Sequence, residues 1–107
     1  MQLEIFTTGG TIDKVYFDAK SKFEVGEPQI LEVLREANLS IAYQVTPLMR
    51  KDSLELTDQD RELVRKAVEA STATRIVITH GTDTMTDTAR ALAGVNGKTI
   101  VLTGAMQ

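Results

Sequence analysis

Short apolar runs alternate with segments of helical period along this chain, the pattern of βα units that feed a mostly parallel sheet. Gln2 to Phe6 predicts a first strand and Ile41 to Val45 a second. Ile76-Val77-Ile78 and Ile100-Val101-Leu102 are continuous apolar runs, as expected of central strands covered on both faces. Pro28, at a tolerated first-turn position, opens a helix whose apolar face is Ile30, Leu31, Val33, Leu34 and Ala37 and which ends near Asn38. Thr57 suits an N-cap, with Asp58 and Asp60 in the first turn. Leu63, Val64, Ala67 and Val68 predict the buried stripe of that helix, which should end around Ser71. A third helix is expected over Thr84 to Ala93, closed by Gly94 and the Asn96-Gly97 turn.

Two segments lack this periodicity. Asp13 to Gly26 is polar but dotted with Val15, Tyr16, Phe17, Phe23 and Val25, and reads as a flexible flap. Thr46-Pro47 to Leu56 reads as an extended connection carrying Asp52 and Ser53, long enough to invite a functional reading. The expected architecture is therefore α/β: a mostly parallel sheet with helices on both faces, Rossmann- or flavodoxin-like, with its site at the carboxyl ends of the strands. Residues 1–107 are expected to form a single domain. Thr103-Gly104-Ala105-Met106-Gln107 follows directly on an apolar strand with no further helix to cover it, so the domain is expected to be incomplete at its carboxyl end.

Composition narrows the chemistry. A hydrophobic share of 42% and a charged share of 25% describe an ordinary globule. The net charge of -3 arises from interspersed residues, so no basic footprint for nucleic acid exists. With no cysteine, disulfides, thiolate nucleophiles and Cys-ligated zinc are excluded, and catalysis must use oxygen and nitrogen groups. The amino terminus has no basic segment leading into a long apolar stretch, and no run is long enough to span a membrane. A cytoplasmic location is the default expectation.

Candidate chemistry gathers where strands end. Thr7 to Thr11, Thr79 to Thr84 and Thr103 to Ala105 are loops rich in Gly and Thr, all expected at carboxyl edges of the sheet. With a strand order of 2-1-3-4, the loops after strands one and three flank the crevice where neighbouring connections leave in opposite directions, and Thr11 would face Thr82-Asp83 across a small pocket. Gly9-Gly10 allows close backbone approach to a ligand. Amides of this turn, and of a helix starting near Asp83, could bind developing negative charge. A threonine hydroxyl is a poor nucleophile unless a base takes its proton, so Thr11 or Thr82 needs a partner, and Asp83 is the nearest group able to orient one.

Neither GxGxxG nor GxxxxGK[ST] is present, which disfavours dinucleotide and P-loop readings. A metal site from His80, Asp83 and Asp87 is chemically possible, but a strand-end histidine is commonly structural, and no metal or cofactor is expected. Asp83 and Asp87 also suit the start of a helix as dipole partners.

Phe6-Thr7-Thr8-Gly9-Gly10-Thr11-Ile12, Thr79-His80-Gly81-Thr82-Asp83-Thr84-Met85 and Leu102-Thr103-Gly104-Ala105-Met106, in this order and with Asp52-Ser53 between them, resemble the amino-terminal domain of the bacterial-type L-asparaginases over essentially the whole chain. The resemblance implies that Thr11 attacks the side-chain amide carbon of asparagine, releasing ammonia and leaving an ester that water hydrolyses to aspartate. It implies further that Thr82 is the second threonine of the site, and that Asp83 binds the substrate α-amino group within a Thr-Lys-Asp relay. Ser53 and Asp52 would hold the α-carboxylate and its surroundings. The Ala105 carbonyl would accept from the amide being cleaved, and Gly81 would line the substrate pocket. The partners implied are a small-molecule substrate, asparagine, and further copies of the same chain in a homo-oligomer.

The chain departs from the family pattern in three places. None of Lys14, Lys20, Lys22, Lys51, Lys66 or Lys98 stands at the relay lysine's motif position, which lies beyond the third loop. Phe23 occupies a flap position where many members carry tyrosine, so the flap hydroxyl either comes from Tyr16 or is missing. Leu54 stands where some members have glutamine beside the serine, which bears on a side-activity toward glutamine. Two rivals accompany the asparaginase reading: the related amidase subunit that frees ammonia for transfer-RNA-dependent amidation, and a non-catalytic domain that binds aspartate or asparagine.

Overall fold

The computed structural model describes residues 2–9, 14–17, 22–25 and 42–104, with the backbone course alone at 14–17, 22–25 and 53. Thr11, Ala105 and the helix expected from Pro28 to Asn38 lie outside the described residues.

Four strands form one parallel sheet: β1 (Gln2–Thr7), β4 (Ala42–Pro47), β5 (Arg75–Thr79) and β6 (Thr99–Thr103), in the order β4-β1-β5-β6. This is the 2-1-3-4 order expected for the four apolar runs. Within the flap, β2 (Lys14–Phe17) and β3 (Lys22–Val25) pair antiparallel, with Tyr16 opposite Phe23.

Side chains alternate across each strand, so the sheet has two distinct faces. Phe6, Ile76 and Ile78 point to one of them and pack with Val64, Val68 and Leu92, flanked by Ile100 and Leu102. The other face carries Ile5 with Leu3, Tyr43, Val45 and Val77. Both described helices, α1 (Asp58–Ala70) and α2 (Met85–Ala91), cover the first face.

The start of α1 follows from its residues. The Thr57 hydroxyl accepts from the Asp60 amide at 3.1 Å, and the Asp60 carboxylate accepts from the Thr57 amide at 3.0 Å. This reciprocal box satisfies two of the donors that a helix start leaves unpaired. Its far end is held from outside: Lys98 Nζ donates to the carbonyls of Ser71 and Ala73 at 2.6 and 2.7 Å. Arg65 does the same for α2, donating to Ala91 and Ala93 at 2.8 Å each, where the helix dipole favours a cation.

Three expectations are corrected. The second strand runs on to Pro47, because an edge strand tolerates a residue that cannot donate to the ladder. The helix expected from Thr84 to Ala93 is shorter, Met85–Ala91, and Thr84 makes no side-chain cap. The buried stripe of α1 is Arg61, Val64 and Val68, whereas Leu63 is 47% exposed. On the helical wheel Leu63 belongs with Gln59, Glu62 and Lys66, which line a shallow hollow on the outward side of α1. In the described sheet β6 pairs with β5 on one side, and Val101 is 52% exposed.

Candidate active site

Register places four strand ends at one level. Thr7 pairs with Pro47 on one side and Thr79 on the other, and Thr79 pairs with Thr103. The loops that leave β1, β4, β5 and β6 therefore start from a single carboxyl edge. The chain leaves β1 toward β4 on one side, and its β5 neighbour continues toward β6 on the other, so the Thr7–Gly9 and Thr79–Asp83 segments flank the switch point of the sheet.

Hydrogen bonds lock these ends together. Thr8 donates twice to the Thr79 carbonyl, from its buried hydroxyl at 2.8 Å and from its amide at 3.2 Å. The His80 amide donates to the Thr103 carbonyl at 2.9 Å. On the other flank, Leu48 donates to the Thr7 carbonyl and Lys51 to the Thr8 carbonyl, both at 2.9 Å. The connection that carries Asp52 and Ser53 is thereby drawn against the first Thr-Gly loop.

Glycine is required at two of these contacts. Gly9 has φ 105°, and a Cβ there would lie 2.5 Å from the Lys51 amide nitrogen and 2.6 Å from its carbonyl oxygen. At Gly104 a Cβ would run into the His80 carbonyl oxygen. Larger residues would push apart the loops that these glycines allow to touch.

Thr82 and Asp83 are exposed, and Gly81 beneath them is buried. Asp52 is half-buried in a short 3-10 turn region: its amide donates to the Glu55 carboxylate at 3.3 Å and its carbonyl accepts from the Glu55 amide at 2.9 Å. Tyr16 lies on β2 and Ser53 begins the turn Ser53–Glu55. Asp87 falls in the first turn of α2 and pairs with Arg90 at 3.4 Å. Lys51 Nζ is engaged with Asp60 at 2.9 Å.

His80 is fully buried, continuing the inward alternation Ile76, Ile78, His80. Its Nδ1 lies 2.6 Å from the Gly81 carbonyl and its Nε2 2.7 Å from the Thr88 hydroxyl. Thr88 in turn accepts from Arg61 Nε at 3.2 Å. A carbonyl can only accept, so Nδ1 carries the proton, and neutral Nε2 accepts from Thr88. Burial lowers the His80 pKa, the hydrogen bond to Gly81 opposes this, and the Arg61 charge lowers it further. Both ring nitrogens are thus occupied within the protein. Among the described residues, no three His, Asp or Glu side chains converge as metal ligands.

Arg61 and Thr88 were not among the candidates read from the sequence. Their signal was positional: Arg61 stands three and seven residues before Val64 and Val68, and Thr88 four before Leu92, so each lies in line with a buried stripe.

An open, all-parallel four-stranded sheet with helices packed on it defines an α/β fold, in which the crevice beyond the carboxyl ends of the strands at the switch point is the place for a ligand. Residues 2–107 match the family described as asparaginase, N-terminal, and the chain belongs to that family. It is similar in structure to a thermostable L-asparaginase from Thermococcus kodakarensis, with a TM-score of 0.81 and 28% identity over 99% of this chain and 34% of that one. Similar too is L-asparaginase I from Vibrio cholerae, with a TM-score of 0.79 and 26% identity over 98% of this chain and 34% of that one. A probable cytoplasmic L-asparaginase from Campylobacter jejuni gives a TM-score of 0.75 at 26% identity, covering 99% and 33% of the two chains. In sequence, the chain is 30% identical over 95 residues to a glutamyl-tRNA(Gln) amidotransferase component of Thermoplasma acidophilum, covering 86% of this chain and 23% of that protein. The chain spans about a third of the length of these solved relatives. No helix among the described residues is long and apolar enough to cross a membrane.

Proposed function

We propose that this chain provides the amino-terminal, nucleophile-bearing domain of an L-asparaginase, which hydrolyses the side-chain amide of asparagine to aspartate and ammonia. The observation that carries this reading is the joining of the two threonine loops at one sheet edge, where Thr8 Oγ1 donates to the Thr79 carbonyl at 2.8 Å. That bond ties the segment Thr8-Gly9, which leads toward Thr11 in the chain, to the strand from which Gly81, Thr82 and Asp83 project.

In this reading the Thr11 oxygen attacks the amide carbon, the carbon–nitrogen bond breaks, and nitrogen leaves as ammonia after gaining a proton. Water then attacks the ester, which frees Thr11 and aspartate. Thr82 and Asp83 assist from the facing loop, Asp83 also holding the substrate α-amino group. Asp52 and Ser53 receive the α-carboxylate region, Ala105 accepts from the scissile amide, Gly81 lines the pocket, and Tyr16 supplies the flap hydroxyl. Lys51, paired with Asp60, is not the relay lysine of this scheme. The same reading takes residues 1–107 as one domain of a longer, homo-oligomeric and cytoplasmic enzyme with no cofactor.

Thr11→Ala in the natural protein tests the scheme. Asparagine hydrolysis should fall below roughly a hundredth of the parent rate while the thermal midpoint is unchanged. Activity above that level would move the nucleophile to Thr82.

The similarity to an amidotransferase component favours a second reading, an amidase that works with transfer RNA. Steady ammonia release from free asparagine, without transfer RNA or a second protein, separates the first reading from the second.

A further inference from the structure

Between the two helices and the candidate site runs a buried chain of hydrogen bonds with one direction. Arg61 Nε donates to Thr88 Oγ1 at 3.2 Å, Thr88 lies 2.7 Å from His80 Nε2, and His80 Nδ1 lies 2.6 Å from the Gly81 carbonyl. Thr88 and His80 are fully buried, and Arg61 nearly so. Arg61 can only donate and a carbonyl can only accept, so both ends of the chain are fixed. Burial and the Arg61 charge keep the imidazole neutral, so with its proton on Nδ1 its Nε2 accepts from the Thr88 hydroxyl.

This arrangement acts on the site through one peptide group. The His80 ring Nδ1–H holds the Gly81 carbonyl toward the buried side. Because the peptide is planar and trans, the Thr82 N–H is turned the opposite way, away from the network. Gly81 lacks a side chain to restrict its own dihedrals, so an outside restraint on this carbonyl is what sets the turn that bears Thr82 and Asp83.

We propose that Thr88 is a positioning residue, whose hydroxyl donates to His80 Nε2 and so holds the ring with its Nδ1–H on the Gly81 carbonyl, which sets the orientation of the Gly81-Thr82 peptide and of the exposed Thr82 and Asp83. The role in turnover rests on the asparaginase reading; the role in setting tautomer and turn does not.

The experiment uses the natural protein, Thr88→Val and Thr88→Ser, followed by nitrogen-15 shifts of the His80 ring, amide shifts of Thr82 and Asp83, and kcat and KM for asparagine. The unsubstituted protein and Thr88→Ser should show a single Nδ1–H tautomer and the same Thr82 and Asp83 amide shifts. Thr88→Val keeps the shape but removes the donor that holds the ring at Nε2, so the ring should turn from the Gly81 carbonyl, lose its single Nδ1–H tautomer, and shift both amides. Misplacement of this kind should lower kcat/KM on the order of tenfold to a hundredfold, with Thr88→Ser restoring it. An Nε2–H tautomer in the unsubstituted protein overturns the proposal without any variant having to fold. So do unchanged amide shifts in Thr88→Val, or an equal loss in Thr88→Ser and Thr88→Val. If the unsubstituted protein does not turn over asparagine, the asparaginase reading fails while the ring and amide measurements still decide the positioning role.

Discussion

His80 shows how a single side chain is decided by its surroundings. Read alone, it could be a base, a metal ligand or a structural residue. Burial, the Gly81 carbonyl and the Thr88 hydroxyl make it a neutral hydrogen-bond relay. Its depressed pKa has a consequence for stability. The unfolded chain takes up the proton near the ordinary value of 6.5, before the folded protein does. The contribution is fully present above that value and is lost as pH falls from it toward the folded pKa. This is the only histidine in the chain. The urea midpoint should therefore be lower at about pH 5.5 than at about pH 7.5, and a midpoint that rises on acidification would contradict a buried neutral His80.

At the scale of elements, α1 separates what local sequence decides from what packing decides. Its start is local: Thr57 and Asp60 cap each other whatever lies beyond. The bonds from Thr57 and from Lys51 also keep the Asp60 carboxyl below its usual range. Thr57→Ala should cost about 1 kcal/mol, measured by urea unfolding at neutral pH; a cost indistinguishable from zero would mean the box is not held in solution. The rotation of α1 is not local. Leu63, Val64, Ala67 and Val68 form the more apolar stripe, yet Arg61 is buried and Leu63 is not. The reason is Thr88 on α2, which offers the Arg61 guanidinium an acceptor while Asp58 takes another of its nitrogens at 3.3 Å. A charged side chain can go inward only where such partners wait, and no window of α1 alone reveals them.

For the molecule as a whole, segments far apart in the chain meet at one edge. The Asp52 turn is drawn to the first threonine loop by Lys51, and Thr82 and Asp83 stand beyond the neighbouring strand. If Asp83 binds the α-amino group of the substrate, Asp83→Asn should weaken aspartate binding roughly tenfold or more, about 1.4 kcal/mol, and not merely slow turnover. Calorimetry on the natural protein measures this directly, and unchanged affinity would leave Asp83 with no binding role.

The sequence by itself determined the alternation of strands and helices, the cap of α1 and the three Thr-Gly loops that signal the family, because each rests on near neighbours or on residue types that few backbones accept. It also supported the sheet order, through the loops expected to flank one crevice. Only the tertiary structure decided which face of α1 turns inward, which strands lie at the edges of the described sheet, and that Gly9 and Gly104 are required by backbone of other segments. It alone decided that Arg61, Thr88 and His80 form one directed chain beneath Gly81. The Thr88–His80 and Arg61–Thr88 bonds join groups 8 and 27 residues apart that meet in the buried interior. There an unpaired polar group costs far more than it would in water, so the partner across the fold, and not the residue type, sets each side chain's place.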